Sequence, residues 1–313
     1  MEIFLVALLN GLVYGLLLFM VSSGLTLIFG MMGVLNFAHA SFYMLGAYLG
    51  FATARYVGFF PGLVLATAGV AFVGYACEQH LLRKVRSHGH VQELLLTFGL
   101  FFAIDELVKL FFGPYPVAYS IPESLRFAAF TIGGTEYPFF RVLIGMTAIT
   151  MFALIFVLLT FTRIGMIVRA AVQYPAMVSA LGYNVKQVFS ALFAIGAALA
   201  GLAGAIGGAF YSTSPNMAGE LGAIVFVVVV VGGLGSLGGA LAASLIIGVL
   251  VSAAVYIDAS LGDLALSLGL ISGKAIDGLL AIPLSATAGI IPYVLMLAVL
   301  LVRPSGIAGE ERS

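Results

Sequence analysis

The groups best able to do chemistry sit where they are most costly. Asn36, His39 and Ser41 fall within six residues of one apolar segment, GLTLIFGMMGVLNFAHASFYMLGAY. Polar groups at membrane depth are expensive and mark solute or ion routes more often than chance allows. Gly30 and Gly33 lie just before them. A straight helix needs neither glycine, so the spacing predicts a discontinuous helix whose freed backbone groups line a cavity. The plainer alternative has Asn36 and His39 bonded to each other or to a neighbour, fixing packing only. A second cluster is Asp105, Glu106 and Lys109. A proton-coupled carrier would want such a carboxylate. Asp105 and Lys109 lie four apart, however, and pair on one helical face, so a compensated pair near the outer surface is the better reading. Glu78, with Gln79 and His80, stands near a span end, where a long side chain can reach the headgroups.

Catalysis on this chain is not expected. The histidines His39, His80, His88 and His90 have no metal-ligand spacing, and GxSxG does not occur. A Walker A phosphate loop needs G-x-x-x-x-G-K-[ST]. The nearest run, Gly269 to Ala275, is one residue short and lacks the hydroxyl that would hold magnesium.

The elements that must position these groups follow from composition. The chain has 313 residues, 62% hydrophobic and 8% charged. A soluble surface cannot be covered with so few charges, so lipid is the solvent for most of the chain. The zero net charge argues against a nucleic-acid partner, and Cys77, the single cysteine, allows no intrachain disulfide. Glu2 replaces the basic start of a cleaved signal peptide, so the first apolar run is expected to stay as a span.

Apolar runs at 3–21, 24–50, 60–82, 91–112, 139–161, 188–211, 221–233, 238–256 and 289–302 predict an all-α fold. It is a polytopic membrane helical bundle of about eight to ten transmembrane segments, some broken or re-entrant, forming a single domain over 1–313. The run at Leu221 is short and stops in GGLGSLGG, as a half-span would. Arg83 to Arg86, Arg163 to Lys186, and Arg303 fall on one side by counting crossings, and the positive-inside rule makes that side cytoplasmic. Loops 114–138, 212–220 and 258–288 then face out, mixing Glu123, Arg126, Glu136, Asp258, Asp263, Lys274 and Asp277. The count leaves the N-terminus on either side.

Two stripes of small residues, Gly196-Ala200-Gly204-Gly208 and Ala197-Gly201-Ala205-Ala209, recur every four positions. They let neighbouring backbones approach, either inside one bundle or at a pore or subunit seam. The loop 163–187 is basic, carries Arg163, Arg169 and Lys186 and no acid, and reads as a short helix from Ala170 to Leu181. A partner on the cytoplasmic side could push there.

Four segments then carry a resemblance: LNFAHASFYMLGAY, RAAVQYPAMVSALGYNV, the long run SPNMAGELGAIVFVVVVVGGLGSLGGALAASLIIG, and the ending LVRPSGIAG. In order, they resemble the permease subunits of ABC importers for branched-chain amino acids, the LivH-like family. Ala40 stands where that family has Gly, Tyr174 where a polar or acidic residue is common, and Ala242-Ala243 replace part of a glycine pair.

The resemblance implies a permease in the cell inner membrane. Its partners would be a second permease subunit (a sister chain or itself), two cytoplasmic ABC ATPase subunits and a periplasmic or extracellular substrate-binding protein. No cofactor is expected on this chain, since ATP and magnesium would sit on the ATPase subunits. The loop resembles a coupling helix, with Arg169, Gln173, Ala176 and Gly182 at the ATPase contact; Arg169 and Gln173 share a face, and Gly182 suits a left-handed cap. Asn36, His39 and Ser41, with Gly232, Gly233 and Gly235, are the candidate translocation pathway. No charged ring lines that route, which suits a dipolar or neutral solute. The solute class stays open among branched-chain amino acids, urea or amides, and aromatic carboxylates. The rival is a proton-coupled secondary carrier using Asp105 or Glu106.

Overall fold

The computed structural model describes residues 2–257, 259–267, 269 and 278–309. Asp258, Lys274 and Asp277 of the outer loop, and most of the Gly269 to Ala275 run, lie outside the described residues. Among the described residues, the regular structure is helical apart from one antiparallel hairpin. In order come α1 (Glu2–Met32), α2 (His39–Val57), α3 (Phe59–Cys77), a π-helical turn (Glu78–Leu82), α4 (Arg83–Val85) and α5 (His90–Phe112). The hairpin β1 (Ala128–Ile132) and β2 (Thr135–Pro138) precedes α6 (Phe139–Phe161), α7 (Arg163–Gln173), α8 (Pro175–Ala180) and α9 (Val185–Phe210). Then follow α10 (Met217–Gly232), α11 (Leu237–Tyr256), α12 (Leu261–Ser267), α13 (Leu284–Thr287) and α14 (Ile291–Val302).

Among the described residues, five stretches are long and apolar enough to cross a membrane: Phe4–Met32, Phe59–Val85, Phe139–Phe161, Val185–Phe210 and Leu237–Tyr256. Helix α5 has the length of a span but carries Glu93, Asp105, Glu106 and Lys109. Helices α10 and α14 are apolar but shorter. At 1.5 Å per residue, α10 covers roughly 24 Å, short of a bilayer core of about 30 Å.

The first helix runs past the end the sequence gives it. Rather than ending at Val21, α1 continues through Ser22, Ser23 and Gly24 to Met32. The hydroxyls of Ser22, Ser23 and Thr26 donate to carbonyls of their own helix, at 3.3, 2.9 and 2.8 Å. Hydroxyls satisfied in this way do not interrupt a membrane helix. The break comes at 33–38, where Gly33 takes a left-handed φ of 67°.

Two faces follow from the contacts. At one, the Asn10 amide donates to the Tyr256 hydroxyl and accepts from Arg141, which gathers the start of α1, the end of α11 and the start of α6. At the other, Arg83 donates to the Lys186 carbonyl at 3.1 Å, so α4 meets the basic start of α9. The segment after Arg303 joins this basic face. Its Ile307 and Ala308 N–H groups donate to the carbonyls of Val231 and Gly232, supplying partners that the last turn of α10 lacks. The start of α1 therefore lies opposite the basic face.

Helix α9 is the hub, packed on α1, α2 and α3. Both small-residue stripes are used inside this bundle. A Cβ at Gly204 would collide with the Tyr43 carbonyl, and one at Gly201 would meet Val70 Cβ at 2.7 Å. Close backbone approach, rather than a subunit seam, explains the stripes.

Candidate functional site

The 33–38 break, α5 and α10 border a half-open cavity of about 280 Å³. Asn36, His39 and Ala40 border it from the break and the first turn of α2, Phe98 and Phe101 from α5, and Ala218 with Gly222 from α10. The break is held on both sides. Thr97 Oγ1 accepts from the Phe37 N–H at 3.3 Å, tying it to α5. Asn36 Oδ1 accepts from the Ala38 N–H at 3.1 Å, the local turn that an asparagine side chain makes two residues on. His39 Nε2 donates to the Val21 carbonyl at 2.9 Å, pinning the start of α2 to the middle of α1.

Asn36 and His39 do not bond each other. Each is partly spent on structure, and each keeps one buried nitrogen, Asn36 Nδ2 and His39 Nδ1, without a partner among the described residues. Ser41 is fully buried, its hydroxyl without a partner among the described residues, but it does not line the cavity. Gly232, Gly233 and Gly235 lie at the far end of α10, on the basic face. There a Cβ on Gly232 would meet the Ala240 nitrogen at 2.6 Å, and one on Gly235 would meet Gly30 Cα at 2.7 Å. The structure brings Asn36 and His39 together at one cavity and leaves the three glycines in a close-packed joint.

The loop on the basic face is two helices, not one over 170–181. Pro175 opens α8, and a residue before proline avoids the helical region, so Tyr174 (φ −136°, ψ 64°) separates α7 from α8. Thr162 caps α7 by accepting from the Gly165 N–H at 3.1 Å. Helix α7 buries Gly165, Val168 and Ala171 and leaves Arg169 and Gln173 exposed. Ala176 is exposed on α8. Gly182, at φ 89°, closes α8 in a Schellman turn: its N–H donates to the Ser179 carbonyl at 3.0 Å and the Tyr183 N–H to Val178 at 3.2 Å. What the charge pattern missed is the apolar content of this surface. Tyr174, Met177 and Leu181 are 61%, 68% and 76% exposed.

A buried ionic cluster fastens that loop to the bundle, and Glu78 does not reach out to the headgroups. Its side chain is 1% exposed. It accepts from the Ser190 hydroxyl, which accepts in turn from Arg83. Arg83 reaches Glu78 at 3.2 Å, Arg86 lies 3.8 Å from Glu78, and Arg86 meets Glu93 at 3.3 Å. The cluster joins the π-helical turn, the start of α5 and the first turns of α9, directly after the loop. Inserted π turns of this kind recur at functional positions. On α5, Lys109 meets both Asp105 at 2.5 Å and Glu106 at 2.9 Å, the expected compensated pair with a second acid added.

Comparison with known proteins agrees with this arrangement. The profile of the family described as "Branched-chain amino acid transport system / permease component" matches residues 7–300. The high-affinity branched-chain amino acid transport system permease protein LivH of Escherichia coli K12 is 28% identical, over 98% of this chain and 96% of its own. The corresponding permease protein BraD of Pseudomonas aeruginosa is 28% identical over 77% of this chain and 83% of its own. A probable branched-chain amino acid transport permease protein of Methanocaldococcus jannaschii is 27% identical over 96% of this chain and 91% of its own. No solved structure matches. A multi-pass helical bundle and a profile match over nearly the whole length together place this chain in the family of branched-chain amino acid transport permease components.

Proposed function

We propose that the chain is the inner-membrane permease subunit of an ABC importer, moving branched-chain or related amino acids with energy from separate ATPase subunits. The basic face is then cytoplasmic. The observation that carries this reading is the α7–α8 loop. It holds Tyr174, Met177 and Leu181 out from the bundle, with Arg169, Gln173 and Ala176 exposed beside them. An apolar knob with a basic rim on this face fits a groove in a partner protein. A rigid helical knob, capped at both ends and anchored through Ser190 to Glu78 and Arg83, can pass a push from an ATPase to α3, α5 and α9.

ATP and magnesium would be held by two such ATPase subunits, since this chain has no Walker A loop. A second permease subunit, either a sister chain or another copy, and an external binding protein complete the assembly. The solute would pass the Asn36–His39 break. The proton-carrier alternative loses support because Lys109 holds both Asp105 and Glu106.

The test is Arg169→Glu in the reconstituted importer. Reversing a charge at a docking surface should lower ATP-driven leucine uptake at least about tenfold while the chain still inserts. Uptake equal to the unaltered importer, or uptake driven by a proton gradient without ATPase subunits, would overturn the reading.

A further inference from the structure

Helix α5 meets the bundle along one stripe. Its buried residues are Glu93, Thr97, Ile104 and Val108, which share a helical face, while Leu95, Phe98, Phe102, Leu107 and Phe111 are exposed. A stripe that packs inside a membrane bundle needs only apolar or small residues. Glu93 and Thr97 are neither, and each is spent on a different element. Glu93 accepts from Arg86 Nε at 3.3 Å and so belongs to the ionic cluster. Thr97, one turn on and fully buried, accepts from the Phe37 N–H at 3.3 Å. Its hydroxyl donates to the Leu94 carbonyl at 3.0 Å, with the Leu35 carbonyl 3.5 Å away.

A continuous set of polar contacts therefore runs from the α7–α8 loop to the 33–38 break. Directly after the loop, Ser190 of α9 donates to Glu78, and the Lys186 carbonyl accepts from Arg83 at 3.1 Å. Arg86 lies 3.8 Å from Glu78 and 3.3 Å from Glu93. Glu93 and Thr97 stand roughly 6 Å apart along one helix axis. From Thr97 the path enters the break at Phe37.

The break is held from two sides. His39 ties it to Val21 of α1 at 2.9 Å, and Thr97 ties it to α5. Ile104 and Val108, the other members of the stripe, are apolar, and apolar helix contacts tolerate sliding by about 1–2 Å. The Thr97 bond does not, because 3.3 Å is already near the end of the hydrogen-bond range. A shift of α5 past α1 must then be taken up between residues 37 and 39 and toward Gly33, whose surroundings are open.

We propose that α5 is the lever that carries movement of the α7–α8 loop to the 33–38 break, and that Thr97 is the positioning residue that makes the break follow it. This rests on the import reading above and gives the route by which force reaches the solute path. Thr97 acts through Phe37 and needs no contact with solute.

The test is Thr97→Val in the reconstituted importer, with leucine uptake and ATP hydrolysis measured together. Valine keeps the shape and removes the hydroxyl. Leucine carried per ATP hydrolysed should fall at least about fivefold while hydrolysis continues, and Thr97→Ser should restore it. A merely packing role would lower uptake and hydrolysis together, and serine, which lacks the methyl group, would not rescue it. If Thr97→Val fails to assemble, hydrogen exchange in the unaltered permease–ATPase complex decides. Exchange of the Phe37 N–H should change at least about fivefold between the nucleotide-free complex and the complex trapped with ATP and vanadate. Unchanged leucine per ATP in Thr97→Val, a parallel loss of uptake and hydrolysis, no rescue by serine, or unchanged exchange at Phe37 overturns the proposal. Failure of the import reading shows separately, as absence of ATP-driven leucine uptake by the unaltered importer.

Discussion

The two backbone breaks in this molecule look alike in sequence and differ in structure. The first, at 33–38, and the second, at 233–236, each begin at a left-handed glycine, with φ 67° at Gly33 and 100° at Gly233. Each follows a helix that ends at the basic face. Around Gly33 there is open space, and beyond it lie a cavity and unpartnered nitrogens on Asn36 and His39. Around Gly233 and Gly235 there is none: Gly309, Gly306 and Gly30 press on them, and the tail after Arg303 takes the last carbonyls of α10. Glycine by itself therefore does not mark a pathway. It marks a turn, and what lies around the turn decides whether the result is a hollow or a joint.

The sharpest way to break this comparison is to add side chains to the two glycines. Gly235→Val combines left-handed strain with a collision against Gly30 Cα, 2.7 Å from the new Cβ. It should cost about 3–5 kcal/mol and abolish the yield of monodisperse protein. Gly33→Ala has the strain but no collision and should cost only about 1–2 kcal/mol, read as a modest fall in Tm in detergent. Equal losses at both positions would show that the second break is not held by packing.

Glu78→Ala tests whether polarity at depth can also be purely structural. It removes the acceptor shared by Ser190 and Arg83 and leaves Arg86 with Glu93 alone. The arginines are about 30% exposed, so water recovers part of the loss. A fall of about 2–3 kcal/mol is expected from thermal unfolding, at the lower end for a broken buried pair. No change in Tm would remove the cluster as the anchor of the α7–α8 loop.

Ser41→Ala should have the smallest effect. Its hydroxyl is buried, unpartnered and off the cavity, so removing it is close to neutral for stability and leaves leucine uptake unchanged. A large fall in uptake would bring Ser41 back to the solute route beside Asn36 and His39.

Much of the fold is legible in the chain because lipid makes strong demands on sequence. Helix ends at Phe112, Phe161 and Val302 stand where glycine, threonine or the basic Arg303 ends the apolar run. Two errors have a common cause. The first span is ended at Val21 because Ser22-Ser23 interrupts the apolar run, while the bonds those hydroxyls make to their own helix are not visible in sequence. Glu78 read as a surface group because Arg83, Arg86 and Ser190 converge on it only once α3, α5 and α9 are side by side. The loop that carries Arg169, Gln173, Ala176 and Gly182 was legible as a basic helical segment. The exposed Met177 and Leu181 beside them were not, because the apolar spacing of α8 is equally that of a packed helix.

By itself the sequence determined the solvent, the helices, the basic face and the family motifs. Each follows from composition or from a local pattern that lipid and helix geometry impose on neighbouring residues. Only the tertiary structure decided which polar groups are satisfied and which are left open. That is a matter of what stands within hydrogen-bonding distance across helices: Val21 for His39, Ser190 for Glu78, and no partner among the described residues for Asn36 Nδ2.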